Sequence, residues 1–165
     1  MSISGRQNSK NRRNSQKQEQ QAAADIGGRI QTNSGALRLG GGADVRLMGK
    51  VRIECKVTSK PTYTLKLKEL LKLRKQSIET LEYPVFQFAF KGYNGMAKFA
   101  VIPWNHASDP TDQIVDTKAK QVIITEVLLK ASLLGGRVKI CFGTEVFEIL
   151  HWIDFIERWN TQQEG

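Results

Sequence analysis

A chain of 165 residues has room for one domain with a real core and an extension, but not for a second full domain. Its formal charge of +9 favours a polyanionic partner, because Lys and Arg beside phosphates gain attraction and release counterions. No apolar run is long enough to span a bilayer and the first residues hold no hydrophobic stretch, so neither a membrane span nor a secretory signal is expected, and the expected location is the cytoplasm.

Residues 1–18 carry Arg6, Lys10, Arg12, Arg13 and Lys17 with no acid, a composition that predicts a mobile basic arm able to grip a phosphate backbone or simply to aid solubility. Good helix formers from Ser15 to Ile26 predict a first helix stopped by Gly27-Gly28. A short strand at Arg29-Ile30-Gln31 precedes the small-residue segments Asn33-Ser34-Gly35-Ala36 and Gly40-Gly41-Gly42. Two strands, Ala43–Met48 and Val51–Val57, turn at Gly49.

The stretch Leu67–Glu82 spaces Leu67, Leu70, Leu71, Ile78 and Leu81 as one face of a basic helix. Strands at Val85–Phe90 and Lys98–Pro103 flank the turn Gly92-Tyr93-Asn94-Gly95. Residues 104–120 show no period and read as a long loop. A short apolar run at Val122–Thr125 leads into a helix from Glu126 to Leu134. A hairpin follows (Val138–Phe142 and Val146–Leu150, turning at Gly143-Thr144), then a final helix, Ile153–Trp159.

The expected architecture is a mixed α/β sheet flanked by helices. Residues 19–165 form a single domain, with a core over 19–103, a loop over 104–120 and an α+β extension over 121–165. Cys55 and Cys141 sit in no metal-binding spacing and are expected to be reduced and buried. His106 and His151 also lack ligand spacing. Trp104, Trp152 and Trp159 read as core or interface anchors.

Chemistry concentrates in Ala43–Val57. Glu54 and Lys56, two apart on a strand, project from one face, while Ile53, Cys55 and Val57 project from the other. A two-residue turn at Gly49-Lys50 would set Asp44 against Cys55. A three-residue loop, Met48-Gly49-Lys50, instead pairs Asp44 with Glu54, Val45 with Ile53 and Leu47 with Val51, aligning every apolar residue, and is the register expected here.

Two adjacent carboxylates repel, and a hard divalent ion relieves that repulsion. Mg²⁺, for which Mn²⁺ would substitute, suits one or two carboxylates with phosphate oxygens, and Lys56 would then stabilise negative charge at a reacting phosphate. The spacing alone is equally that of a solvated hairpin face with an ordinary cross-strand ion pair.

Over about Gln18 to Phe90 the chain resembles the PD-(D/E)xK nucleases, and within them the archaeal-type and phage-type Holliday junction resolvases. The residues that carry the resemblance are Gln18-Glu19, Gly27-Gly28-Arg29, Ser34-Gly35-Ala36, Gly42-Ala43-Asp44-Val45 and Ile53-Glu54-Cys55-Lys56. Ala43 stands where the superfamily motif has proline.

The resemblance implies a restriction-endonuclease-like fold with an α-β-β-β-α-β core, and host cytoplasm as the location if the chain is phage-encoded. It implies Mg²⁺ held by Asp44, Glu54, the Cys55 backbone carbonyl and Glu19, with Lys56 and Ser34 completing the catalytic set. The implied activity is a structure-specific endodeoxyribonuclease that resolves four-way junctions into 5′-phosphate and 3′-hydroxyl ends.

DNA contacts are expected from Arg12, Arg13, Arg29, Lys60, Lys68, Lys72 and Lys75. Two symmetric incisions suit a homodimer, with the apolar segment Val138–Trp159 as the expected surface. Another DNA nuclease of repair, replication or restriction type, or a basic nucleic-acid-binding protein without catalysis, are the alternative readings.

Overall fold

The computed structural model describes residues 3–31, 45–93, 95–105, 107 and 111–164. Helix α1 (Ile3–Ile26) leads through β1 (Arg29–Ile30) to the hairpin strands β2 (Val45–Leu47) and β3 (Val51–Thr58). Then come β4 (Thr62–Lys66), α2 (Leu67–Glu79), β5 (Tyr83–Gly92) and β6 (Gly95–Pro103). The chain continues through β7 (Gln113–Thr117), β8 (Gln121–Thr125), α3 (Glu126–Leu134), β9 (Val138–Phe142), β10 (Glu145–His151) and α4 (Trp152–Gln163).

Eight strands form one mixed sheet in the order β1-β2-β3-β5-β6-β10-β9-β7, and β4 pairs with β8 in a separate two-stranded ribbon. The pairs β3–β5 and β7–β9 are parallel, and the others are antiparallel. A parallel pair needs a long crossover, and β4 with α2 supplies the one from β3 to β5.

Both faces of the sheet are covered, which explains why β5 reads as a continuous apolar run rather than an alternation. Phe86, Phe88 and Phe90 point into a core shared with Leu70 and Leu73 of α2, Leu65 and Ile124 of the ribbon, and Leu129 of α3. Val85 faces the opposite core, where Ala22, Ala23 and Ile26 of α1 meet Val51, Ile53 and Cys55 of β3 and Trp152, Phe155 and Trp159 of α4. Each fully buried large apolar side chain contributes about 1.5–3 kcal/mol, so the two cores secure the sheet from both sides.

The turn between β2 and β3 is the three-residue loop. Val45 opposes Ile53 and Leu47 opposes Val51, and Gly49 takes the left-handed φ of 69° that such a loop needs.

Several expectations are corrected. The basic arm is helical, because α1 begins at Ile3 rather than near Ser15: extending a helix already anchored on the sheet costs little once its nucleus exists. The long loop over 104–120 contains β7, whose β-branched Ile114 and Val115 lie at the sheet edge in parallel register with β9. Residues 121–165 are no appendage, since β10 pairs directly with β6 in the main sheet.

The helix expected to reach Glu82 ends at Glu79, and its buried face is Leu70, Leu73 and Ser77, with Ile78 and Leu81 exposed. Its end is a Schellman motif: Glu82 N–H donates to the Ser77 carbonyl at 2.8 Å and Leu81 N–H to the Ile78 carbonyl at 3.2 Å. Leu81 holds the left-handed φ of 55° that glycine usually occupies there. Cys55 is buried as expected, whereas Cys141 is only half-buried. In Val138–Trp159 the large apolar side chains from Val138 to Trp159 are mostly buried in the chain's own cores, so this segment does not offer an apolar docking surface.

Candidate active site

Glu54 and Lys56 lie on one face of β3, the ammonium Nζ 2.5 Å from Glu54 Oε1, with both groups partly open to solvent. Such a pair, lying near the surface, adds only about 0–1 kcal/mol to stability. Its place in the sheet is fixed by the neighbours: Glu54 is opposite Phe86 on β5 and Lys56 opposite Phe88. Cys55, between them, turns its side chain into the α1 core and leaves only its backbone for the other side.

The ribbon walls this site. Tyr63 of β4 stacks on Phe88 with ring centroids 5.0 Å apart and lies 6.4 Å from Phe86, which places it over the rows that carry Lys56 and Glu54. Burial pushes the Tyr63 hydroxyl well above its ordinary value, helped by the negative charges of Glu69 on α2 and of Glu54. The site therefore gathers an ammonium, a carboxylate and a protonated phenol, with a second carboxylate close by. Sequence reasoning passed over Tyr63 and Glu69; the alternation Thr62-Tyr63-Thr64-Leu65 was the signal of a strand there.

Helix α1 reaches the same strand through Gln18, a buried residue whose Nε2 donates to the Lys56 carbonyl at 2.9 Å. The described part of the β2–β3 ladder ends at Val45 opposite Ile53, and three residues further along β3 this amide gives the Lys56 carbonyl a hydrogen-bond donor from α1. Glu19 follows Gln18 and is half-buried on α1.

One row further along the same face, Arg46 and Arg52 share Glu82. Arg46 Nη2 lies 2.7 Å from Glu82 Oε1 and Arg52 Nε 2.9 Å from Oε2, with all three side chains buried. Thr80 Oγ1 donates to Glu82 Oε2 at 2.8 Å and Gly49 N–H to Oε1 at 3.3 Å. Burial pushes the Glu82 carboxyl up, but the hydrogen bonds from Arg46, Arg52 and Thr80 outweigh it and hold the group below its usual range. This network ties the β2–β3 turn to the end of α2, a constraint no linear motif announced.

Of the other expected site residues, Ser34 and Asp44 lie outside the described residues, as does the side chain of Arg12. Arg13, Arg29 and Lys60 are exposed, and so are Lys68, Lys72 and Lys75, which line the solvent side of α2. His106 also lies outside the described residues, while His151 packs its ring 5.2 Å from Phe99. Trp152 and Trp159 are core residues, and Trp104 sits under Arg137 and Lys139.

Among the described residues no group of three or more His, Cys, Asp or Glu is placed to hold a metal ion. The Glu54 carboxylate at this face is an oxygen donor of the hard character Mg²⁺ prefers. Among the described residues no helix is long and apolar enough to cross a membrane. The chain matches no protein-family model and no curated protein.

Proposed function

We propose that this chain is a Mg²⁺-dependent, structure-specific endodeoxyribonuclease with a restriction-endonuclease-like fold, acting on four-way DNA junctions. The observation that supports it is the β2–β3 register: Val45 lies opposite Ile53, and the same register carried one residue further would set Asp44 against Glu54, on the face that carries Lys56.

Asp44 and Glu54, with the Cys55 carbonyl and Glu19, would hold the cation. Bound there, it would supply Lewis-acid activation of the phosphate and a more acidic water. The chain's own part is electrostatic and positional. The Lys56 ammonium stabilises the charge that gathers on the phosphoryl oxygens as water attacks phosphorus and the bond to the 3′ oxygen breaks, leaving 3′-hydroxyl and 5′-phosphate ends. Ser34 would stand near the scissile phosphate. Tyr63, held protonated, can donate to an anionic oxygen beside Glu54.

Exposed cations at Arg13, Arg29, Lys60, Lys68, Lys72 and Lys75, with Arg12, would follow the DNA backbone. A homodimer would deliver the paired incisions. The apolar side chains it would cover are the exposed Ile114 and Val115 of β7, Ile123 of β8, and Val127, Leu128 and Leu134 of α3. Light scattering checks this, with a dimer expected at micromolar concentration. Cleavage compared across junction, linear duplex, nicked and single-stranded DNA tests the substrate, and preference for another form points to a repair, replication or restriction role.

A second reading, a basic nucleic-acid-binding protein without catalysis, is favoured by one observation: Glu54 engages Lys56 in an ordinary ion pair. Binding without cutting in Mg²⁺ or Mn²⁺ would support it.

A further inference from the structure

Where the ribbon meets the first turns of α2 lies a cavity of about 450 Å³ lined by Lys66, Leu67, Lys68, Leu71, Lys120 and Gln121. Two distant stretches of chain build it. Lys66 pairs with Gln121 across the ribbon, and the Leu67 N–H donates to the Lys120 carbonyl at 2.9 Å. Three lysines thereby line one opening. Among the described residues no acid forms an ion pair with Lys66, Lys68 or Lys120.

Like charges held together repel, and an anion between them relieves that repulsion. The cavity falls within the range of about 300–1,000 Å³ typical of sites for organic ligands, more room than a bare phosphate needs. Leu67 and Leu71 give it an apolar wall that an inorganic anion would not use. A ligand with an anionic end and a flat or apolar body fits both features.

We propose that this cavity takes one nucleotide of a DNA strand, its phosphate among Lys66, Lys68 and Lys120 and its sugar or base against Leu67 and Leu71. This rests on the reading of the chain as a DNA-acting protein. The ribbon relates the two places: Tyr63, over the Glu54 and Lys56 rows, and Lys66 lie on the same strand, three residues or about 10 Å apart at the usual rise. Their side chains leave opposite faces of β4, so the cavity opens on the side of the ribbon away from Tyr63.

The test is equilibrium binding of a fluorescent single-stranded oligonucleotide in EDTA, where cutting is suppressed, across a salt series. Lys66→Gln with Lys120→Gln is expected to weaken binding about tenfold or more and to flatten the salt dependence by roughly one to two counterions. Lys130→Gln, whose lysine pairs with Glu126 on α3, serves as the control and leaves both unchanged. Lys120 is exposed in the turn before β8, so Lys120→Gln alone keeps the test decisive if the double variant fails to fold.

Unchanged affinity and salt slope in a folded variant would overturn the site. A deoxynucleoside monophosphate is expected to compete better than inorganic phosphate, and equal competition would overturn the nucleotide assignment. If the wild type cuts DNA in Mg²⁺ but the variants bind normally, the cavity proposal fails and the nuclease reading stands. If the variants lose binding but the wild type never cuts, the cavity stands and the nuclease reading fails.

Discussion

Gln18 of α1 donates its side-chain amide to the backbone carbonyl of Lys56 at 2.9 Å, fastening the first helix to the strand at the residue that carries the site's ammonium. The bond is partly buried and joins α1 to β3, so its loss removes one hydrogen bond between the helix and the sheet. Gln18→Leu keeps the volume and removes the donor. It is expected to cost about 0.5–1.5 kcal/mol, read as a lower urea midpoint with an unchanged slope.

Glu82 neutralises two buried guanidinium groups, Arg46 and Arg52. Glu82→Gln leaves both without a counter-charge and is expected to cost on the order of 3–5 kcal/mol. Because the folded carboxyl is held below its ordinary value, its stabilisation is complete above the unfolded pKa of about 4.3 and is lost as pH falls through the lower folded value. The wild type should therefore lose stability steeply on acidification below about pH 4. The variant's curve should be flatter there, as checked by denaturation at successive pH values.

Tyr83 is displaced in the other direction. Burial, then the negative charge of Glu148 partly offset by Arg158, pushes its phenol up to about 12. The folded state thus keeps a proton that the unfolded chain releases near pH 10, so this contribution is present below about pH 10 and lost as pH rises towards the folded value. Tyr83→Phe should flatten the alkaline limb of the stability curve and remove a late component from the ultraviolet phenolate titration.

Leu81 sits at a left-handed φ of 55°, and its side chain is 87 % exposed, so it stores strain without packing in return. Leu81→Gly relieves roughly 1–2 kcal/mol of backbone strain against about 0.5–1 kcal/mol of extra chain entropy. A net gain of up to about 1.5 kcal/mol is expected, visible as a rise in Tm of a few degrees.

What the sequence made legible was local. The hairpin register followed from matching apolar positions, Val45 with Ile53 and Leu47 with Val51, because a one-residue slip would have set apolar residues against the arginines of the opposite face. Helix α3 and strand β9 were placed to the residue by their flanking turns. What stayed hidden depends on distant pairing. β4 is a strand because β8, far along the chain, pairs with it, and β7 because β9 lies beside it. The end of α2 was misplaced because Leu81 adopts a conformation normally left to glycine, and Glu82 is drawn inward by arginines on two other strands. In the candidate site, Glu54 and Lys56 were legible from their spacing, but Tyr63 and Gln18 reach them only through tertiary packing.

The central claim is that carboxylates from neighbouring strands and the Lys56 ammonium form one hydrolytic centre. The most direct measurement is four-way junction cleavage in Mg²⁺ by the wild type beside Asp44→Asn, Glu54→Gln and Lys56→Ala, with junction binding measured in EDTA. The account predicts cutting by the wild type, loss of at least about a hundredfold in each variant, on the scale of removing one transition-state contact, and nearly unchanged binding. Junction cleavage that survives Glu54→Gln, or a wild type that binds the junction and never cuts it, would contradict it.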